Sequence, residues 1–376
     1  MIIGISKESL PGETRVALLP PEIKRLLSDN LTFNIETEAG TGSFISDENY
    51  MESGADIIPD VYLNSDLIIR INPPTEGEVF KLKEGSCLVS LLAPFTNHDL
   101  VKQLAAKNIS SFCLELIPRS TYAQSMDVLS SQATVAGYRA VLNAASHMGK
   151  FFPMLMTPAG TIKPATILII GTGVAGLQAI ATAGRLGAKV EAFDVRPAAR
   201  EQVESLGAKF LYMDLDDSAE TDSGYAVEMN DEFIRKEMEL LHDASKRVDA
   251  IITTALIFGK KAPILIKDYM VNDMQTGACI IDLAAENGGN CEFTQPGEII
   301  HHGGVTIDGR LNLPAQVPFH ASQMLSKNIS KLLGEIIKDG KVNFDLENDI
   351  IKGCLVTHEG KIIHEMTRNI IEGESN

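Results

Sequence analysis

Positive charge is in short supply in this sequence: 33 lysines and arginines face 50 aspartates and glutamates, a formal net charge of −17. That balance withholds the phosphate-neutralising contacts on which nucleic-acid binding depends, and it opposes docking on anionic lipid, so neither partner is expected. Cysteine pairing is missing as well. Cys87, Cys113, Cys279, Cys291 and Cys354 are odd in number and widely spaced, with no CxxC or CxxH pair. A disulfide framework and a zinc site are therefore excluded, and buried free thiols in a reducing compartment are expected, with no metal bound. The opening residues MIIGISKESL carry neither the basic segment nor the long apolar segment of a signal peptide, which favours a cytosolic address. No Pro/Ser-rich or low-complexity tract is present, so most of the 376 residues should fold, and a chain of this length should do so as two domains.

What the sequence does contain is an uncharged stretch, ATILIIGTGVAGLQAIATAG, from Ala165 to Gly184. Its length permits a membrane span, but its texture argues otherwise. Thr166 to Ile170 is a β-branched run of the kind buried on both faces of a parallel sheet. Gly171, Gly173 and Gly176 come next as GxGxxG, and the apolar positions Leu177, Ile180, Ala181 and Leu186 then recur at helical spacing. A second strand ends in Asp194, 18 residues beyond Gly176. In such a unit the first glycine makes the tight turn, the second admits a pyrophosphate and the third lets helix and strand pack closely. The helix N-terminus attracts the pyrophosphate, and the acid accepts from a ribose 2′-hydroxyl, which favours NAD(H) over NADP(H). Arg196 tempers that preference, since an arginine there can receive a 2′-phosphate.

Strand and helix patterns continue to alternate on either side, which predicts an α/β fold of two Rossmann-like lobes with parallel, doubly wound sheets separated by a cleft. The first lobe is expected over residues 1–127, completed by about 320–376, and lacks any glycine fingerprint. The nucleotide-binding lobe is expected over 128–319, with 128–150 as the linking helix. The acid-rich segment from Met213 to Phe233 reads as a solvated loop, or as a lid in which Gly224 supplies a hinge and Tyr225 and Met229 supply contacts.

Several stretches resemble the NAD(H)-binding component of proton-translocating nicotinamide nucleotide transhydrogenase: PRSTYAQSMDVLSSQATVAGYRAV (118–141), GTGVAGLQAIATAGRLGAKV (171–190), EQVESLGAKF (201–210), SGYAVEM (223–229) and IITTALIFGKKAP (251–263). The wider superfamily includes alanine dehydrogenase and lysine-forming saccharopine dehydrogenases, which share the ETRVAL stretch (13–18). The resemblance implies that Arg119, Gln124, Ser125, Met126, Asp127 and Ser130 form the segment that holds the nicotinamide and its ribose, with Arg119, Gln124 and Asp127 at the reacting centre. Read from residue types alone, the same segment is a helix N-terminus with Ser125 or Asp127 as cap. The family's second arginine in this segment is Tyr122 here. By the same resemblance, Val174, Val195, Arg196 and the turn Thr254, Ala255, Leu256 line the adenosine and ribose, and Tyr225 and Met229 match a mobile loop.

An amino-acid dehydrogenase needs His, Lys and Arg about the hydride acceptor. Where alanine dehydrogenases supply a lysine and a histidine, this chain has approximately Asn72 and Ala93, with Arg15 retained and His98 nearby. Direct hydride transfer between two nicotinamides needs placement and exclusion of water instead. The resemblance thus implies a transhydrogenase subunit that binds NAD(H) and works with an NADP(H)-binding component and a membrane-spanning proton-channel component, as a homodimer peripheral to the membrane on its cytoplasmic or organelle-matrix side, without inserting into it. An amino-acid dehydrogenase acting alone, or a redox-silent NAD(H) sensor, are the alternatives.

Overall fold

The computed structural model describes residues 1–212, 231–256 and 261–373. The chain divides into two compact units: unit 1 is Met1–Gln132 with Pro314–Asn376, and unit 2 is Ala133–Leu313. The strands in chain order are β1 (Ile2–Ile5), β2 (Thr32–Glu36), β3 (Asp56–Ile58), β4 (Leu67–Ile69), β5 (Cys87–Ser90), β6 (Ser110–Cys113), β7 (Leu155–Thr157), β8 (Gly160–Ile162), β9 (Thr166–Ile170), β10 (Lys189–Phe193), β11 (Lys209–Phe210), β12 (Ala250–Thr253), β13 (Cys279–Asp282), β14 (Ile299–His302), β15 (Val305–Asp308), β16 (Ile337–Lys338), β17 (Lys341–Val342), β18 (Leu355–His358) and β19 (Lys361–Ile362).

Unit 1 carries a sheet ordered β19-β18-β6-β5-β4-β1-β2-β3, and unit 2 one ordered β11-β10-β9-β12-β13-β15-β14. In each, the first strand of the unit's doubly wound core sits centrally, β1 between β2 and β4, β9 between β10 and β12, all parallel. The two-lobe α/β expectation is met, with antiparallel strands added at the edges. β18 pairs antiparallel with β6, and β14 with β15. The β14–β15 connection runs through Gly303 and Gly304, both at positive φ, which a tight primed turn requires.

The β-branched run Thr166–Ile170 is buried as expected of a central parallel strand. Ile167 and Ile169 pack into one apolar cluster with Ala250, Ile252 and Ile281, while Leu168 and Ile170 face a second with Ile251, Ile280 and Ile307. A strand covered on both faces has no polar side to offer, which is why it reads as a continuous apolar run. All five cysteines are free and buried. Burial pushes the thiols of Cys87, Cys279 and Cys354 up to about 12, so they are inert. No helix among the described residues is long and apolar enough to cross a membrane.

Candidate functional site

The glycine turn of unit 2 is built as its spacing demands. Gly171 leaves β9 at φ +89, where a Cβ would lie 2.6 Å from Thr254 Oγ1. A Cβ on Gly176 would lie 2.0 Å from the Gly171 carbonyl oxygen, so no side chain fits between helix and strand. At Gly173 a Cβ would meet nothing within 4 Å: the surface over the turn is open, and the glycine leaves that room for a ligand. The helix Val174–Arg185 starts there with no side chain capping its N-terminus, so its first-turn N–H groups are left for an anion. Val174, its first residue, is 43% exposed. These features fit the diphosphate of a dinucleotide.

Asp194, at the end of β10, is more heavily engaged than its expected role suggests. Its Oδ2 accepts from Thr172 N and Oγ1, each at 2.8 Å, and from an Arg196 terminal nitrogen at 2.9 Å. Its Oδ1 accepts from Arg196 N and Nε, both at 2.9 Å. The acid side chain is 6% exposed beneath an arginine that is 58% exposed. Burial would raise this carboxyl, but the bonds from Arg196 and Thr172 outweigh it and bring it down to about 2. Asp194 thus fixes the glycine turn through Thr172, and a ribose must displace Arg196 to reach it. Val195 beside it is half-buried.

The turn Thr254–Leu256 abuts the glycines. Thr254 N donates to Ile170 O at 2.8 Å and Thr254 Oγ1 to Gly171 O at 2.9 Å, while Leu256 is 51% exposed. Two residues outside the sequence expectation hold this turn. Asn290, wholly buried, accepts from Ala255 N at 3.0 Å and donates to Ala255 O at 2.9 Å and Pro263 O at 2.8 Å. Asp282 accepts from Thr253 Oγ1, Thr294 Oγ1 and the backbone of Ala284, Asn290 and Cys291, and so fixes Asn290. The signal available in the sequence was an acid ending a strand, followed by the Gly-Gly-Asn of 288–290.

The segment 118–132 lies in unit 1. Arg119, Gln124 and Ser125 are exposed, Met126 is buried, and Asp127 and Ser130 are half-buried. Asp127 accepts from Ser130 N at 2.9 Å and Ser130 Oγ at 2.6 Å, which makes it the N-cap of the helix Val128–His147. The cap read from residue types is therefore present, and it is Asp127. Tyr122, where the family has arginine, donates its hydroxyl to Glu335. Gly224, Tyr225 and Met229 lie outside the described residues.

The positions that would carry dehydrogenase acid–base chemistry are occupied within unit 1. Arg15 binds Glu13 through Nε at 2.8 Å and a terminal nitrogen at 2.6 Å, and Gln132 Oε1 at 2.8 Å. Asn72 Nδ2 donates to Glu8 and to Glu13, both at 3.0 Å. Arg70, wholly buried, bonds Glu78 at 2.8 Å and Tyr62 Oη at 2.7 Å. Burial works to raise Glu13, but Arg15 and Asn72 bring it to about 2; for Glu8 burial wins and the carboxyl is raised. Ala93 sits at φ 49, and the His98 ring bonds the Phe95 carbonyl at 2.9 Å.

Comparison with known proteins agrees with this anatomy. Residues 4–136 match the alanine dehydrogenase/PNT N-terminal domain and residues 140–365 the corresponding C-terminal domain. An NAD(P) transhydrogenase subunit alpha chain from Rhodospirillum rubrum is 44% identical over 376 residues, covering 97% of this chain and 98% of the relative. A crystal structure of transhydrogenase from Sinorhizobium meliloti superposes with a TM-score of 0.88 at 39% identity, covering 96% of this chain and 100% of that one. An alanine dehydrogenase from Methanococcus maripaludis is more distant, 27% identical over 382 residues, with 97% of this chain and 95% of the relative covered. The chain belongs to the alanine dehydrogenase/PNT family, on the side of the NAD(P) transhydrogenase alpha subunits.

Proposed function

We propose that this chain is the NAD(H)-binding subunit of a proton-translocating transhydrogenase, placing NADH so that its hydride passes directly to NADP⁺ held by a partner component. The observation that carries the reading is the open, uncapped glycine turn of unit 2, joined to a unit 1 in which Arg15 and Asn72 are spent on Glu8 and Glu13 instead of awaiting an amino acid. Gly171, Gly173 and Gly176 receive the diphosphate, and Asp194 the adenosine ribose once Arg196 swings away, with Val174, Val195 and Thr254–Leu256 against the adenosine. Gln124 and Arg119 offer an amide and a cation for the nicotinamide end, and Asp127 and Ser130 a hydrogen-bonding pair for its ribose. NADH, when bound, supplies the hydride; the residues supply orientation and no proton transfer. Gly224, Tyr225 and Met229 complete the site as a lid in this reading.

The same reading makes the chain a homodimer, peripheral to a membrane on its cytoplasmic or organelle-matrix side through a proton-channel component. The experiment is reconstitution with an NADP(H)-binding transhydrogenase component, following NADH oxidation coupled to reduction of an NADP⁺ analogue. NADH binding by the purified chain is measured separately from fluorescence. Hydride transfer only with the partner present supports the proposal. Formation of NADH from NAD⁺ and L-alanine by the chain alone would establish an amino-acid dehydrogenase, and binding without transfer even with the partner would establish a sensor.

A further inference from the structure

The helix Pro318–Ile336, returning to unit 1 from the far end of the chain, touches the 118–132 segment at three points. Gln132 Nε2 donates to the Ala321 carbonyl at 3.1 Å, Asn328 Nδ2 donates to the Ser125 carbonyl at 2.8 Å, and the Tyr122 hydroxyl donates to Glu335. Residues 321, 328 and 335 are seven apart, close to two helical turns, so they form one stripe along the helix. Beside it runs a second stripe of serines, four apart. Ser322 accepts from Val16 N at 3.1 Å, Ser326 from Leu19 N at 2.8 Å, and Ser330 from Arg25 at 2.5 Å. Serine is a poor interior helix former, because its hydroxyl competes for backbone bonds. Here each hydroxyl is committed to a neighbouring segment. The helix is thus held from one side by the 16–25 stretch and holds the 122–132 stretch on the other.

We propose that Asn328 is a positioning residue for hydride transfer, acting through the Ser125 carbonyl to fix the register of Gln124 and Asp127. This rests on the reading given under Proposed function, in which those two residues handle the nicotinamide end. Asn328 is 9% exposed, and its Oδ1 has no hydrogen-bond partner among the described residues, so its one observed polar task is to grip Ser125. The second pin, Gln132, is itself held by Arg15 at 2.8 Å, which ties the far end of the segment to the buried ion pair of unit 1. Between the pins lie Gln124's neighbour Ser125, the cap residue Asp127 and Ser130. A short segment pinned at both ends to a rigid helix keeps its side chains within the narrow tolerance that transfer between two rings demands. The diphosphate and adenosine are bound by unit 2, so loosening the pins costs transfer more than binding.

The test uses the full chain mixed with an NADP(H)-binding transhydrogenase component, with single-turnover transfer from NADH followed by rapid mixing. Asn328→Ala should slow transfer by about tenfold or more while the NADH Kd of the chain alone changes by less than about threefold. Gln132→Met, cutting the other pin, should act in the same direction and serves if Asn328→Ala does not fold. Equal losses in transfer and NADH affinity, or an unchanged transfer rate in a folded variant, would overturn the proposal. Gln124→Asn, run alongside, separates the two layers. If Gln124→Asn slows transfer and the pin variants do not, the positioning role alone falls; if none of them slows it, the reading of the segment falls as well.

Discussion

The two sheets share a plan and differ in the connection that leaves the central strand. In each, the order reverses beside that strand, between β1 and β4 in unit 1 and between β9 and β12 in unit 2, the place where open α/β sheets bind ligands. After β9 the chain turns through Gly171 and Gly173 and enters a helix at Val174. After β1, residues 6–19 intervene before the helix Pro20–Leu26, and they send Glu8, Glu13 and Arg15 into a network with Arg70 and Asn72. One crevice is left open by residues without side chains; the other is filled by buried ion pairs. The topology offers a site in both units, and a few residues at the end of one strand decide which is used.

That contrast can be broken from the unit 1 side first, where the largest effect is expected. Glu13→Ala leaves the Arg15 guanidinium buried without its carboxylate, at a cost of about 3–5 kcal/mol of stability in chemical unfolding. If the crevice of unit 1 were a substrate site, the same variant would keep its stability. The pH dependence comes from the same pair. Glu13 has its carboxyl lowered to about 2 in the folded chain against an ordinary 4.5, so its stabilisation is complete above pH 4.5 and is lost as pH falls toward 2. Glu13→Gln should flatten that region of the acid-unfolding profile.

In unit 2 the glycines separate folding from binding. Gly176→Ala, whose Cβ would lie 2.0 Å from a carbonyl oxygen, should cost about 1–3 kcal/mol of stability and abolish detectable NADH binding. Gly173→Ala, with nothing within 4 Å of its Cβ, should melt like the parent and yet bind NADH about tenfold or more weakly. Identical melting and affinity losses in both variants would mean that the open space over Gly173 is not where the diphosphate rests.

A smaller effect is expected at Arg196. Removing its guanidinium in Arg196→Ala frees both Asp194 oxygens, so NADH should bind about threefold tighter and NADPH weaker, widening the discrimination between them. Parallel changes for the two nucleotides would place Arg196 on a portion of the ligand they share.

The contrast also explains what could be read from the sequence. Strand, glycines, helix and acid within 166–194 are local, and each residue's role is set by its neighbours in the chain, so the nucleotide-binding unit was readable. The N-cap at Asp127 was readable for the same reason. The filling of the unit 1 crevice was not, because Asn72 meets Glu8 and Glu13, and Arg15 meets Gln132, only after the fold brings them together. Nor was the engagement of Asp194. A carboxylate two residues before an arginine gives no sign that the arginine will curl back onto it and cover it. The stripes of the Pro318–Ile336 helix were hidden for a further reason: serines and an asparagine at helical spacing look like solvent-facing positions, yet Ser322, Ser326, Ser330 and Asn328 are all buried.

The most direct measurement tracks a label. NADH carrying deuterium at C4, on the face presented to the acceptor, is mixed with the chain, the NADP(H)-binding component and an NADP⁺ analogue, and the products are read by mass spectrometry. If the chain contributes placement and no acid–base chemistry, the deuterium is recovered in the reduced analogue with none released to water, and L-alanine makes no difference. Deuterium washed into solvent, or NADH turnover that requires an amino or keto acid and ignores the partner, would contradict it.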